Sequence, residues 1–351
     1  MSGVHIADIA SVAGVSPATV SLVLNNKPGV SPDTRSRILE LARSLEYDLE
    51  RSNNLAHGKA ATIRFLKVAR HGHTVNDDHA IFIANYINGL SLEARSLKLT
   101  LEIMTINGGP AEALVSATED PGIAGAIVLA TEMTSKEIRL FKRVNTPLVF
   151  IDNYDETEGF NFVDMNNKES VLIAISHFME HGHREIGMAT SDVATPNFQM
   201  RTAAFNEALQ RFSLPSRGDF IFHVDSTYAG ALRDMSGILT SGAKLPTALF
   251  CVNDIVAFGC IRALKDAGIR VPEDISIIGF DNLPASAMVD PPLTTIEVSK
   301  VEIGRLAMRT LYNDITLDLH QHPVKQLVSG ELVERLSVKA LEAISAETKT
   351  N

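Results

Sequence analysis

The residues that could do chemistry here stand just after short apolar runs. Asp152 ends LVFID, Asn253 and Asp254 follow ALFCV, and Asp281 follows SIIGF. Carboxylates and an amide at the carboxyl ends of strands can hydrogen-bond a small ligand, because open α/β sheets bind ligands at that edge. The competing role is local, as helix caps or strand-end turns, and it suits Asn253 and Asp152 especially well. Two His-x-His pairs occur, His71-Gly72-His73 and His181-Gly182-His183, without a cysteine or carboxylate at a zinc-like interval, and Gly182 reads as a helix C-cap. No metal is expected. Cys251 and Cys260 match neither a zinc nor a thioredoxin motif and read as buried thiols. No G-x-S-x-G elbow, P-loop or G-x-G-x-x-G follows a strand, and no Ser/His/Asp set stands out, so neither an enzyme nor a cofactor is expected.

A second kind of chemistry lies near the N-terminus, in IADIASVAGVSPATVSLVLN. Ile6, Ile9, Ala10 and Ala13 fall at i, i+3, i+4 and i+7, one face of a short helix that Gly14 ends. Ser16 has the type and place of an N-cap, Pro17 follows at the first helical position, and Val15 and Val20 can close a hydrophobic staple. Val20, Val23 and Leu24 then turn inward, leaving Pro17, Ala18, Ser21, Leu22 and Asn25 on one outward face. This spacing predicts a helix-turn-helix whose second helix can enter a DNA major groove. Leu22, Pro17 and Ala18 lack hydrogen-bonding side chains, so Leu22 is expected to touch a thymine methyl. Thr19 and Ser21 read as phosphate contacts or internal caps.

Ser31-Pro32 caps a third helix striped by Ile38, Leu41, Ala42 and Leu45, so residues 1–46 form a compact headpiece. Its charge is near neutral through residue 60, and Arg35 on this helix is the candidate phosphate contact. The segments GVSPATVSLVLN, VSPDTRSRI and LEY resemble the LacI/GalR (lactose-repressor) family of bacterial transcription regulators. The later run VNDIVAFGCIRALKDAGIRVPEDISIIGFDNLPASAMVDPPLTTI follows the same family in order and spacing. Family resemblance makes residues 47–60 a hinge with Leu55 as a minor-groove wedge, although Leu49 and Glu50 stand where the family usually has proline and asparagine.

From residue 61 apolar runs alternate with helical stretches, which calls for parallel sheets covered on both faces. Some 280 residues are too many for one comfortable sheet, so the expected class is α plus α/β, with a three-helix headpiece and two doubly wound lobes. The resemblance implies a periplasmic-binding-protein-like body over 61–345, crossing between lobes near Asp164, Leu293–Val298 and Leu327. That divides it into an N-lobe of about 61–165 and 298–327 and a C-lobe of about 166–297 and 328–345.

The same resemblance makes Arg201, Asn253 and Asp281 effector contacts, with Asp152 behind them, and places Arg201 at the start of the helix RTAAFNEAL. A guanidinium among carboxylates suits vicinal hydroxyls or a ligand carboxylate. The loop RHGHTVNDDH offers Asn76 and Asp78 as further contacts, or else caps the helix that follows. Where sugar-binding relatives place an aromatic after an acidic residue, this chain has Asp225-Ser226-Thr227 with Tyr228 displaced. With 45% hydrophobic residues, no membrane-length run and no signal-peptide layout at the N-terminus, a cytoplasmic protein is expected. Residues 340–351 are too short and polar for a coiled coil, so a homodimer is the expected assembly. The expected function is a repressor that binds a pseudo-palindromic DNA operator under control of a small, sugar-like effector. An activator or corepressor-dependent regulator is the alternative, and a solute-binding protein with no DNA role ranks lower.

Overall fold

The computed structural model describes residues 6–24, 29–45, 61–193, 195–317 and 322–341. Helices α1 (Ile6–Ala13), α2 (Pro17–Leu24) and α3 (Pro32–Ser44) make the headpiece. Gly14 takes φ +64°, a left-handed turn that glycine adopts without strain, and α1 meets α2 at a bend of 110°. The Ser16 side chain accepts from the Thr19 amide at 3.1 Å, so α2 starts where the Ser-Pro pair predicts. Ile9, Val20, Val23, Leu24, Ile38 and Ala42 close a small core of their own. The bent pair α1–α2 is apolar enough to resemble a broken membrane span, but that apolar face is this core. No single helix among the described residues is long and apolar enough to cross a membrane.

The N-lobe is a six-stranded parallel sheet built from β1 (Thr62–Ala69), β2 (Thr100–Asn107), β3 (Gly125–Leu129), β4 (Leu148–Ile151), β5 (Asn161–Met165) and β11 (Lys325–Val328). Its order is β11-β5-β4-β3-β1-β2. The C-lobe sheet runs β7-β6-β8-β9, from β7 (Ile221–Val224), β6 (Ile186–Ser191), β8 (Ala248–Cys251) and β9 (Ser276–Ile278). Central strands such as β3, β4 and β8 are buried throughout, as strands covered on both faces must be. Beside β9 run β10 (Thr295–Glu297) and its antiparallel partner β12 (Glu331–Val333). The chain thus leaves the N-lobe sheet after β5, returns between β10 and β11, and leaves again between β11 and β12.

Four helices matter for the site. They are α4 (Ala80–Ser96), α7 (Asn167–Glu180), α8 (Pro196–Arg211) and α10 (Asp254–Asp266); α5 (Ala111–Ser116), α6 (Ser135–Leu140), α9 (Tyr228–Thr240) and α11 (Lys300–Leu317) complete the set. One expectation needs correction. Arg201 does not open its helix: Thr195 caps α8 through the Phe198 amide and Pro196 occupies the first turn, so Arg201 sits in the second turn. Helices α4 and α11 approach so closely that a Cβ on Gly89 would lie 2.0 Å from the Val301 carbonyl oxygen.

Candidate functional site

In the headpiece, Ser16, Pro17 and Ala18 are exposed and Thr19, Ser21 and Leu22 half-buried on the outward side of α2. Thr19 pairs with the Ser16 hydroxyl at 2.9 Å, which makes it part of the internal cap. Arg35 turns inward: its Nη1 donates to the Val23 carbonyl at 3.3 Å, closing the C-terminal end of α2. Arg37 likewise reaches the Ala13 carbonyl at the end of α1. Guanidinium groups at helix C-termini satisfy unpaired carbonyls and oppose the helix dipole, so the first task of Arg35 is to hold the headpiece together. Asn25 and Leu55 lie outside the described residues.

Between the lobes a cavity of about 30 Å³ is lined by Asp152, Arg201, Asn253 and Asp281, together with Thr74, His79, Thr131 and Asn197 and an apolar wall of Phe82, Ile83 and Phe198. That is room for a water or two within the cleft. The two lobes are therefore shut upon each other, and a ligand must part them.

Backbone geometry puts these side chains at the seam. Asp152 follows β4 at φ +58° and Asp281 follows β9 at φ +116°, turning both carboxyls inward. Asn253 caps α10 with its oxygen, accepting from the Val256 amide at 2.8 Å. Its nitrogen faces His79 Nε2 at 3.2 Å across the cleft, so the capping and cleft roles coexist.

A chain of hydrogen bonds crosses the seam. Arg201 Nε donates to Asn167 at 2.8 Å, Asn167 to Asn197 at 2.9 Å, and Asn197 to the Asp152 carboxylate at 2.9 Å. Tyr86 and Thr131 complete that carboxylate from the N-lobe, at 3.0 and 2.5 Å. Arg201 also donates to the Val252 carbonyl at 2.6 Å and to Met165 Sδ at 2.9 Å, while its guanidinium carbon lies 3.6 Å from the Phe280 ring centre. Asp281 stands 3.8 Å away. The guanidinium is thus largely committed to the protein, so a bidentate grip on a ligand carboxylate does not fit this arrangement.

Charge is unbalanced here. Burial raises the Asp152 and Asp164 carboxyls above their ordinary range, and the neighbouring Asp152 charge adds to the rise at Asp164. Burial pushes Asp281 up to about 8 despite Arg201, with Asp254 adding to the rise. Two buried cations, Arg201 and Lys300, thus face several acids that carry protons more readily than usual. His79, buried beside them, falls to about 4 and is neutral at physiological pH.

Asn76 and Asp78 do not line this cavity. Asn76 folds onto its own loop just ahead of α4, accepting from the His79 amide at 3.3 Å and donating to the His73 carbonyl at 2.9 Å. Asp78 reaches the opposite lobe, where it accepts from the Tyr228 amide at the start of α9, 3.0 Å away. Ser226 donates to the His73 carbonyl at 2.9 Å, so the loop latches the lobes at their rim.

The anchor of that loop is Glu132, which the sequence reading missed. Its carboxylate accepts the amides of Arg70, His71, Gly72, Thr74 and Val75 at 2.7–2.9 Å, with the Thr74 hydroxyl also at 2.9 Å. Burial alone would raise its pKa, but those amides hold it at about 2.

A helix-turn-helix headpiece joined to a two-lobed body with a polar seam defines a ligand-responsive DNA-binding regulator. The lacI-family pattern of bacterial regulatory proteins matches residues 5–48, and a periplasmic binding protein-like domain matches residues 175–338. The HTH-type transcriptional repressor PurR of Actinobacillus pleuropneumoniae serotype 3 is 30% identical over 350 residues, covering 96% of this chain and 98% of that protein. Its counterpart from Haemophilus influenzae is also 30% identical, over 347 residues. The chain belongs to the lacI family of bacterial transcription regulators. Among solved structures, the lac repressor dimer bound to operator and the anti-inducer ONPF superposes with a TM-score of 0.71 at 22% identity, covering 96% of this chain and all of that one. The CelR–cellobiose complex gives 0.69 at 22% identity, covering 95% and 99%.

Proposed function

We propose that this regulator is a repressor whose homodimer holds two headpieces on a pseudo-palindromic operator and whose effector binds at the seam lined by Asp152, Arg201, Asn253 and Asp281. The observation that carries the reading is the hydrogen-bond chain from Arg201 through Asn167 and Asn197 to Asp152, because a ligand inserted there must break it and part the lobes. The relatives named repressors support repression over activation, and they support a regulator over an enzyme. A DNA-bound role implies the cytoplasm.

The acid-rich lining favours a neutral, hydroxyl- or N–H-rich effector such as a sugar. A hydroxyl can both donate to and accept from these carboxyls, whereas an anion finds Arg201 already bonded to Asn167, the Val252 carbonyl and Met165. Dimerisation through the N-lobe is supported by the exposed apolar Ile81 and Leu92 on α4 and Ile103 on the edge strand β2. On DNA, Leu22, Pro17 and Ala18 face the bases, with Ser16, Ser21 and Asn25 toward the backbone; Leu55 remains the proposed wedge.

The test is thermal unfolding of the full chain against neutral sugars, sugar phosphates, sugar acids and nucleobases. A ligand at a hundredfold excess over its Kd stabilises by about 2.7 kcal/mol. A neutral polyhydroxylated hit lost in both Asn253→Ala and Arg201→Ala supports the site. A hit that survives both substitutions puts the site elsewhere, and a hit confined to anions refutes this reading of the lining.

A further inference from the structure

Away from the seam, the C-lobe brings together three metal-ligating side chains that are distant in sequence. His177 lies in the last turn of α7 and His181 is its C-cap, so the two rings, four residues apart, sit over one helix face with centres 4.2 Å apart. Strand β12 packs against α7, and Glu334 follows it directly. One ligand atom from each of the three lies within 4.8 Å of the others.

We propose that His177, His181 and Glu334 form a binding site for a divalent first-row transition metal ion such as Zn²⁺ or Co²⁺. Two observations beyond proximity point to a ligand. His177 is only 5% exposed, yet its Nε2 has no hydrogen-bond partner, an uncommon state for a buried ring nitrogen. An ion would satisfy it. His181 Nδ1 lies 2.9 Å from the His177 carbonyl, which can only accept, so Nδ1 carries the proton and Nε2 keeps its lone pair. That is the tautomer and orienting bond that metal-bound histidines use.

Two imidazoles and one carboxylate suit zinc and its neighbours and leave further positions to solvent. With metal–nitrogen bonds of about 2.0–2.1 Å, tetrahedral ligand atoms lie about 3.3 Å apart, so the side chains must draw in slightly. Half-buried His181 and exposed Glu334 are free to do so and give the ion a way in. The ion would clip β12 to α7 where the chain enters the C-lobe for the last time. The adjoining Arg335 donates to the Leu293 carbonyl and to Asn282, next to Asp281, so the clip bears on the segments that join the lobes.

Titrating the full chain with Co²⁺ and recording its visible ligand-field absorption tests this, with His181→Gln and Glu334→Gln as variants and circular dichroism confirming their fold. Neither residue is buried, so both variants should fold. The expected result is one Co²⁺ per chain, bound about tenfold or more weakly in each variant. Zn²⁺ should raise the unfolding temperature of the parent only. An absent cobalt signal, or a titration that either substitution leaves unchanged, overturns the proposal.

Discussion

Replacing Glu132 by Gln should loosen the loop that latches the lobes, and the size of the effect follows from its hydrogen bonds. The carboxylate accepts from five backbone amides and one hydroxyl, and its side chain is fully shielded from solvent. A glutamine keeps the shape but turns an NH₂ group toward amides that need an acceptor. Moving this carboxyl from an ordinary 4.5 to about 2 corresponds to roughly 3 kcal/mol favouring the ionised form. The loop can relax around an amide and recover part of this, which leaves roughly 2 kcal/mol. The folded pKa is depressed, so this stability is fully present above the unfolded value near 4.5 and is lost as pH falls toward 2. Urea unfolding of the parent and Glu132→Gln should therefore differ by about 2 kcal/mol at pH 7, with the gap narrowing from pH 5 downward. Equal stability at pH 7, or a gap indifferent to pH, would refute the claim that this ionised carboxylate organises the loop.

Other expectations follow from the same geometry. Asp281 has the opposite sign: its folded pKa is raised to about 8, so its contribution is fully present below the unfolded 3.8 and is lost as pH rises through 8. Asp281→Asn should flatten the decline in unfolding temperature between pH 5 and 9, and an unchanged decline would show that another group sets it. Gly89→Ala should destabilise the N-lobe by about 1–3 kcal/mol in denaturant unfolding, because the Val301 backbone cannot yield to a methyl as a side-chain tip could. Leu22→Arg should leave the fold intact and shift base preference toward guanine at one operator step in a random-sequence selection; unchanged preference would count against Leu22 reading bases. Asp78→Ala removes an acceptor of the Tyr228 amide at the rim and should tighten effector binding by favouring the parted lobes, which calorimetry reads directly.

The headpiece was legible because its signals are local. Ser16-Pro17, Gly14 and the apolar spacing each act within four residues, and α1 and α2 form where those signals stand. The strand-end polar residues were legible for the same reason, since a carboxyl after a buried run has few places to go. Strands β10 and β12 carry three residues each, too few for a period to register, and in β5 the polar Asn161 and Asp164 interrupt the apolar run that a fully buried strand otherwise shows. Thr195-Pro196 was a readable cap signal overlooked beside the arginine. What sequence could not supply were the pairings across the seam. Asn167 and Asn197 look like ordinary first-turn residues until the lobes meet, and nothing near Glu132 announces that a loop some sixty residues earlier folds around it. Arg35 and Arg201 illustrate the converse: each has the right type for an external ligand, and each also bonds an internal carbonyl that its sequence context does not announce.

The most direct test of the account is a pair of equilibrium titrations of the full chain. One measures affinity for a selected operator with and without the ligand that stabilises the protein; the other measures affinity for that ligand with and without the operator. If occupancy of the seam controls the headpieces, the two titrations must change by the same factor and in the same direction, because coupling between two sites is reciprocal. A ligand that binds in the cleft yet leaves operator affinity unchanged would contradict the central claim.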